Sequence, residues 1–293
     1  MAGVKELRLR IKSVGSIKQI TRAMEMVATT KLRKFQDRAV TSRPYAQEVA
    51  GLVGRLAAVL PEEELASRPI LRPGAGQDTL LVVVSSDRGL CGAYNANLFK
   101  KLERVREEIG HDRLKLFVYG RKAYQYTSKR GFHVEKFLTD PPLEQIDFRN
   151  AQITARILMR EFLSGAYKDV ALLYSAFESM ASYVPTLAPL LPIEAKGLVP
   201  DEGDDAAGGD VILEPDAGSI FDHLLPRYLE TRIYNALLEA LTSEYASRRF
   251  AMKNATDAAT DMQKALQGLY NRKRQESITK ELLDIVGGVE ALR

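Results

Sequence analysis

The stretch LEALTSEYASRRFAMKNATDAATDMQKALQGL, residues 238–269, decides the fold. Within it Leu238, Leu241, Tyr245, Arg248, Met252, Ala255, Ala259, Met262, Leu266 and Leu269 follow one another in steps of 3, 4, 3, 4, 3, 4, 3, 4 and 3. That is an unbroken heptad seam, the pattern of a helix that lays an apolar stripe against another helix. Arg248 is its only charged member. A charge at such a position is costly unless paired, so Arg248 either snorkels out along its stem or meets an acid or carbonyl of a partner. The seam loses phase between Leu269 and Ile278 and restarts as Ile278, Leu282, Ile285, Val289 and Leu292. Pro226 bounds the helix on its N-terminal side, since starting earlier demands a kink, with Ser219 and Asp222 available to cap a short preceding turn. From 226 to 286 is about 60 residues, or about 90 Å of helix. A helix of that length protrudes from any compact domain this chain can build, and something must cover its seam.

The nearest cover is the other end of the chain. Residues 3–38 contain no Pro, and Gly only at 3 and 15. Leu7, Ile11, Val14, Ile17, Ile20, Met24 and Val27 recur at helical spacing. A kink or local break is expected at Pro44. The pattern resumes at Tyr45, Val49, Leu52, Leu56 and Val59 and is ended by Pro61 and by PGAG at 73–76. Two long terminal helices imply an antiparallel intramolecular coiled coil, with Ala255 and Ala259 permitting close approach.

Between them the pattern changes to strands alternating with helices. Residues 79–86 (TLLVVVSS) form a β-branched run suited to a buried parallel strand. Further strands are expected at 114–119, 132–138 and 170–175, and helices at 94–109, 121–129 and 146–163. Residues 183–193, interrupted by Pro185, Pro189 and Pro192, read as an edge strand or an irregular return. The fold class is therefore α/β, a long coiled coil of N- and C-terminal helices with a Rossmann-like α/β domain inserted between them. The expected division is 1–60 and 219–293 for the coil, 77–195 for the α/β domain, and a mobile acidic loop at 196–218.

Composition excludes several classes. No apolar run is long enough to span a bilayer. The start, MAGVKELRLRIK, lacks the apolar core of a secretory signal, and Glu6 with the absence of a Ser-rich run argues against a transit peptide. One cysteine, Cys91, rules out an internal disulfide framework, and three dispersed histidines make a His-rich metal site improbable. Residues 1–43 hold eleven Lys or Arg against three acids, so that end reads as a nucleic-acid arm, a helix meeting an acidic protein surface, or a solvated face.

The loop SSDRGLCG at 85–92 lies where an α/β fold can cradle a phosphate at a helix N-terminus, yet it matches neither glycine-rich phosphate motif, and a structural turn is the favoured reading. Asp201, Asp204 and Asp205 do not have EF-hand spacing and read as a solvated acidic loop. No catalytic triad can be assembled. The run RKRQ at 272–275 falls where the seam loses phase, as a polar grip on an acidic surface or as a solvated face.

Three blocks give these features a context: IKSVGSIKQITRAMEMVATTKLRKFQDRAVTSRPYA at 11–46, SSDRGLCGAYNAN at 85–97, and RRFAMKNATDAATDM at 248–262 with YNRKRQESITKELLDIVGGVEAL at 270–292. Over essentially its whole length the chain resembles the gamma-subunit family of F-type proton-translocating ATP synthases. The resemblance implies a non-catalytic central rotor shaft that couples proton flow to ATP synthesis or hydrolysis by rotating inside the alternating alpha/beta hexamer. It implies alpha, beta and epsilon subunits and the c-ring as partners, no nucleic acid, and no cofactor or metal of its own. The location implied is peripheral, on the cytoplasmic face of a bacterial membrane.

Contact residues carry over by motif. Met24 matches the methionine that faces the beta subunit, and Arg248, with Met252 beside it on the seam, the arginine associated with coupling. Arg274 and Gln275 match a pair that hydrogen-bonds the hexamer, and Thr279 and Glu281 fall in a coupling-sensitive ITKEL stretch. Glu214 sits in a short segment resembling the contact with epsilon and the c-ring. The plant-type insert with paired cysteines is absent, which removes thiol control. The alternative reading is a free-standing α/β module on a coiled-coil stalk that binds nucleotide or nucleic acid.

Overall fold

The computed structural model describes residues 3–138, 141–180, 182–194 and 214–290. Most of the expected acidic loop, with Asp201, Asp204 and Asp205, and also Leu292, lie outside the described residues. The chain divides into two compact units: one of residues 31–247, the other of residues 1–30 with 248–293. The elements are α1 (Val4–Val59), α2 (Glu62–Ser67), β1 (Asp78–Val84), α3 (Tyr94–Ile109), β2 (Leu114–Tyr119), α4 (Arg121–Lys129), β3 (His133–Leu138), α5 (Phe148–Leu163), β4 (Tyr167–Phe177), β5 (Tyr183–Leu191) and α6 (Ala217–Glu290), with short 3₁₀ turns at Pro69–Leu71 and Leu143–Gln145.

In the larger unit the five strands are ordered β3-β2-β1-β4-β5. β1 runs parallel to β2 and β4, and β2 to β3, while β5 returns antiparallel along β4. β5 tolerates Pro185 and Pro189 because an edge strand needs donors on one side only. One face of the sheet packs Leu81, Val83, Leu116 and Val118 against Leu98, Leu102 and Val105 of α3 and Ala123 of α4. On the other face Tyr119 bonds Thr154 of α5. β1 is buried along its length from Leu80 to Val84, which is why its sequence is continuously β-branched and aliphatic rather than alternating.

The two long helices depart from expectation at their prolines. α1 continues through Pro44 without a break. The ring removes the N–H that would reach the Val40 carbonyl, and Val40 is exposed, so water can take that acceptor. α6 begins at Ala217 and continues through Pro226, giving 74 residues rather than about 60. Its cap is Asp216, not Ser219: the Asp216 carboxylate accepts from the Ser219 backbone N–H at 2.8 Å and from its hydroxyl at 2.7 Å. Those two bonds hold the Asp216 carboxyl below the ordinary carboxylate range.

From residue 236 to 247 α6 is enclosed on nearly every side, whereas nearer its start Asp222, His223 and Arg227 are exposed. Ala236, Leu237, Leu238, Ala240 and Leu241 are buried, as are Thr242, Ser243, Glu244, Tyr245, Ala246 and Ser247. A helix covered all round is a core element rather than a surface one.

Candidate functional site

The smaller unit contains the ends of both helices, and there the seam runs differently from the sequence reading. On α1 the covered positions are Leu7, Ile11, Val14, Lys18, Thr21, Glu25 and Ala28, a strict 4-3 alternation. Ile17, Ile20 and Val27, expected on the seam, are 52%, 59% and 59% exposed. Hydrophobicity pulled the sequence reading off the true period at residue 17. Along the same stretch α6 offers the small side chains of Ala255, Thr256 and Ala259. The Thr256 hydroxyl donates to Thr21 Oγ1 at 2.9 Å. A Cβ added at Gly15 would stand 3.5 Å from Gln263 Nε2.

The seam of α6 also drifts. Met252 and Ala259 are buried as expected, but beyond them the covered residues are Gln263, Leu266 and Tyr270, while Met262 and Leu269 are exposed. A straight helix slips about 20° per heptad, so four heptads accumulate about 80°, close to the step of one residue. The Thr21 and Gly15 pairings run antiparallel and bring Val4, the first residue of α1, level with about residue 274. Beyond that point α6 continues without a partner among the described residues. Ile278, Leu282, Leu283, Ile285 and Val286 are all exposed there. An apolar helix end of this kind is a surface awaiting cover.

The expected contact residues fall into two groups. Arg274, Gln275, Thr279 and Glu281 are exposed on the free part of α6. Arg248 is 7% exposed and engaged within the chain, and Met252 is buried. Met24 is half-buried on α1, and Glu214 is exposed just ahead of the α6 cap. The basic residues Lys12, Lys18 and Arg22 line a groove beside Gly15 and Gln263, on the same stretch of helix as the exposed isoleucines.

In the larger unit the switch point of the sheet, between β1 and β4, is where a doubly wound fold holds a ligand. Here it is occupied by the chain itself. The Ser247 hydroxyl on α6 donates to the Cys91 carbonyl at 2.6 Å and lies 2.8 Å from the Tyr183 hydroxyl. Tyr94 donates to the Ala240 carbonyl at 3.2 Å. The polar groups of the 85–92 loop are also committed. Ser85 N–H reaches the Tyr119 carbonyl at 2.9 Å, Ser85 Oγ accepts from Ala123 N–H at 2.7 Å, and Asn95 Nδ2 donates to Ser86 Oγ at 2.7 Å. Gly120 makes the crossing possible: it has φ +89°, and a Cβ there would stand 2.2 Å from the Ser85 carbonyl oxygen. The loop is a structural turn that seats α6. Among the described residues no three His, Cys, Asp or Glu side chains gather in a way that could hold a metal ion.

Sequence reading missed one polar node in this unit. Glu144, in the 3₁₀ turn before α5, accepts from Lys31 Nζ of α1 at 3.1 Å and from the Tyr245 hydroxyl of α6. Burial opposes its ionisation, but Tyr245, Lys31 and the nearby Arg88 outweigh burial and hold the carboxyl below its ordinary range. Its partners lie 113 and 101 residues away in sequence, so no local pattern could have signalled it.

Comparison with known proteins agrees with this architecture. The family model described as ATP synthase matches residues 3–292. The chain is 37% identical over 295 residues to the ATP synthase gamma chain of Geobacter sp. (strain M21), and 40% identical over 298 residues to that of Acidiphilium cryptum (strain JF-5), in each case across the whole of both proteins. It is similar to a chain in the central stalk and c-ring structure of the Tetrahymena thermophila mitochondrial ATP synthase, at 27% identity and TM-score 0.60, covering 80% of this chain and 99% of that one. It also shares its fold with a chain of the Euglena gracilis mitochondrial ATP synthase, at 19% identity and TM-score 0.67, covering 99% and 94%.

Proposed function

The chain belongs to the ATP synthase gamma-chain family, and from that premise we propose how its geometry couples the two sectors of the enzyme. It is the central stalk of the rotor: the helical end lies inside the alpha/beta hexamer, and the sheet-bearing unit meets epsilon and the c-ring. The observation that carries this reading is the end of α6 that no described residue covers, where Ile278, Leu282, Leu283, Ile285 and Val286 are exposed among Arg274, Gln275, Thr279 and Glu281. A cluster of exposed apolar side chains of this kind marks a surface that meets another protein. Among the described residues no helix is long and apolar enough to cross a membrane. In this reading the chain works as a peripheral component, on the cytoplasmic face of a bacterial membrane.

The subunit is non-catalytic, and nucleotide and Mg²⁺ belong to the hexamer. Support for this comes from the switch-point crevice, which α6 fills in place of a ligand. Coupling is then a matter of unequal binding. One shaft face favours one beta conformation, so turning the shaft shifts which conformation each beta subunit adopts. Moving a two-state balance from 1:99 to 99:1 takes about 5.5 kcal/mol of differential affinity. At about 25 cal/mol per Å² that corresponds to about 220 Å² of apolar surface buried in one state and not the other. The exposed side chains of the α6 end, with Ile17, Ile20 and Val27 of α1, are sufficient in size and number to supply it.

The contact residues divide by exposure. Arg274, Gln275, Thr279 and Glu281 touch the sleeve directly, with Arg274 and Gln275 supplying directional hydrogen bonds. Arg248 and Met252 act from within, by setting the surface that α6 presents around them. Met24 contributes its exposed edge, and Glu214 faces epsilon and the c-ring. Reconstitution with alpha and beta subunits tests the reading. One copy of the chain per hexamer, with ATPase activity that depends on it, is the expected result. ATPase activity indifferent to the chain, with no complex formed, would overturn it.

A further inference from the structure

The turn between β3 and α5 meets α1 at two successive points, and α6 directly at the first and through Arg38 at the second. At the first, Glu144 places one carboxylate oxygen on each helix: Oε2 accepts from Lys31 of α1 at 3.1 Å and Oε1 from Tyr245 of α6. At the second, the Ile146 carbonyl accepts from Arg38 Nη2 of α1 at 2.7 Å, and the same Nη2 lies 3.1 Å from the Tyr234 hydroxyl of α6. Lys31 and Arg38 are seven residues apart, and Tyr234 and Tyr245 eleven. These spacings return to nearly the same face of a helix after two and three turns. The rings of Phe35 and Tyr245 brace the first point, with centroids 5.5 Å apart.

The turn itself is held stiffly. Leu143 and Ile146 are buried, and Ile146 N–H closes the turn on the Leu143 carbonyl at 3.2 Å. Asp147 then starts α5 with a reciprocal capping box to Asn150, with bonds of 2.9 and 3.0 Å. The bracket is thus continuous with an element that packs on the sheet.

Its chemistry is not what holds the fold together. Lys31 and Glu144 are partly exposed, and such pairs add little to stability. The bulk of the packing around α6 is apolar, and apolar contact is non-directional, so it resists separation far better than it resists slip about the helix axis. Hydrogen bonds with fixed geometry, anchored at two heights on two helices, resist slip.

We propose that residues 143–146 form a torsional clamp, with Glu144 and Arg38 as positioning residues that pass load between the sheet-bearing unit and both helices of the shaft at once. The proposal rests on the rotor reading above. Without the clamp, α6 would still be seated, but torque applied at the sheet would reach α1 and α6 unequally and be lost as slip.

The test uses the whole enzyme in inverted membrane vesicles, with ATP-driven proton pumping and ATP hydrolysis measured on the same preparation. A Glu144→Ala/Arg38→Met variant is expected to keep hydrolysis and to lower the pumping-to-hydrolysis ratio roughly two- to fivefold. Tyr245→Phe, which keeps the ring and loses only the hydroxyl, is expected to lower it less and serves as the deciding variant if the double substitution does not assemble. An unchanged ratio in the assembled variant would overturn the clamp. If the unsubstituted chain supports hydrolysis but no pumping, the rotor reading itself fails and the clamp with it.

Discussion

Two stretches of the same helix, α6, live under different rules. In the larger unit residues 236–247 are covered on all sides, and even the polar Thr242, Ser243, Glu244 and Ser247 are buried. In the smaller unit only a narrow stripe is covered, and after about residue 274 nothing among the described residues covers it. The first stretch is stabilised by this chain alone. The second keeps its helix through propensity and a thin seam, and leaves its apolar side chains for another protein. A helix can therefore be core at one end and interface at the other, and substitutions at the two ends should report on different things.

The largest effect is expected from cavity formation. Leu241→Ala, at a fully buried position, should cost about 2–5 kcal/mol in denaturant unfolding of the isolated chain. Leu283→Ala, at a position 66% exposed, should change that value by no more than about 0.5 kcal/mol and show instead as weaker assembly with alpha and beta subunits. Similar unfolding costs at both sites would break the comparison. Next comes Tyr94→Phe, which removes a second donor from the buried Ala240 carbonyl, a group the helix's own N–H still holds, and should cost about 0.5–1.5 kcal/mol by the same measurement. Gly15→Ala should have a smaller effect of opposite sign. Its Cβ would meet Gln263 at ordinary contact distance, and a helical Gly→Ala exchange stabilises by about 0.5–1 kcal/mol, seen as a higher melting temperature.

The smallest effects are in pH dependence, and two carboxyls of the larger unit should show opposite signs. Glu144 is held below its ordinary range by Tyr245, Lys31 and Arg88 against the pull of burial. Its contribution is present above the ordinary value of about 4.3 and is lost as the pH falls through the depressed folded value. Thermal unfolding of Glu144→Gln should differ from the unsubstituted chain at neutral pH by less than about 1 kcal/mol, with the gap closing in acid. Glu239 is raised by burial, against the opposing hydrogen bond from Tyr174 and the charge of Arg43. Its contribution is full below the ordinary value and is lost as the pH rises through the raised one. Glu239→Gln should therefore be neutral or stabilising at pH 7, and a large destabilisation there would contradict the assignment.

Much of this was legible in the sequence where the signal is local. α3, β2 and α4 begin and end where periodicity and punctuation placed them. The switch from helical to strand period after residue 77 located the sheet, and the length of the C-terminal pattern announced a helix too long for one domain. Prolines misled, because Pro44 and Pro226 were read as interruptions although each sits where the helix continues. The seam misled at Ile17, Ile20 and Val27, because apolar side chains there serve another surface and the packed stripe uses small and polar residues instead. What the sequence could not disclose is long-range. The filling of the switch point by Ala240 and Ser247, and the reach of Glu144 to both helices, join residues more than 100 positions apart.

The central claim is that the helical end turns within a sleeve while the sheet-bearing unit carries the load. The most direct measurement fixes the alpha/beta hexamer to a surface, attaches a bead to the sheet-bearing unit, and watches the bead while ATP is hydrolysed. Steady rotation in one direction, lost when residues 272–292 are removed, is the predicted result. Hydrolysis at full rate with a bead that only fluctuates about a fixed angle would contradict the account.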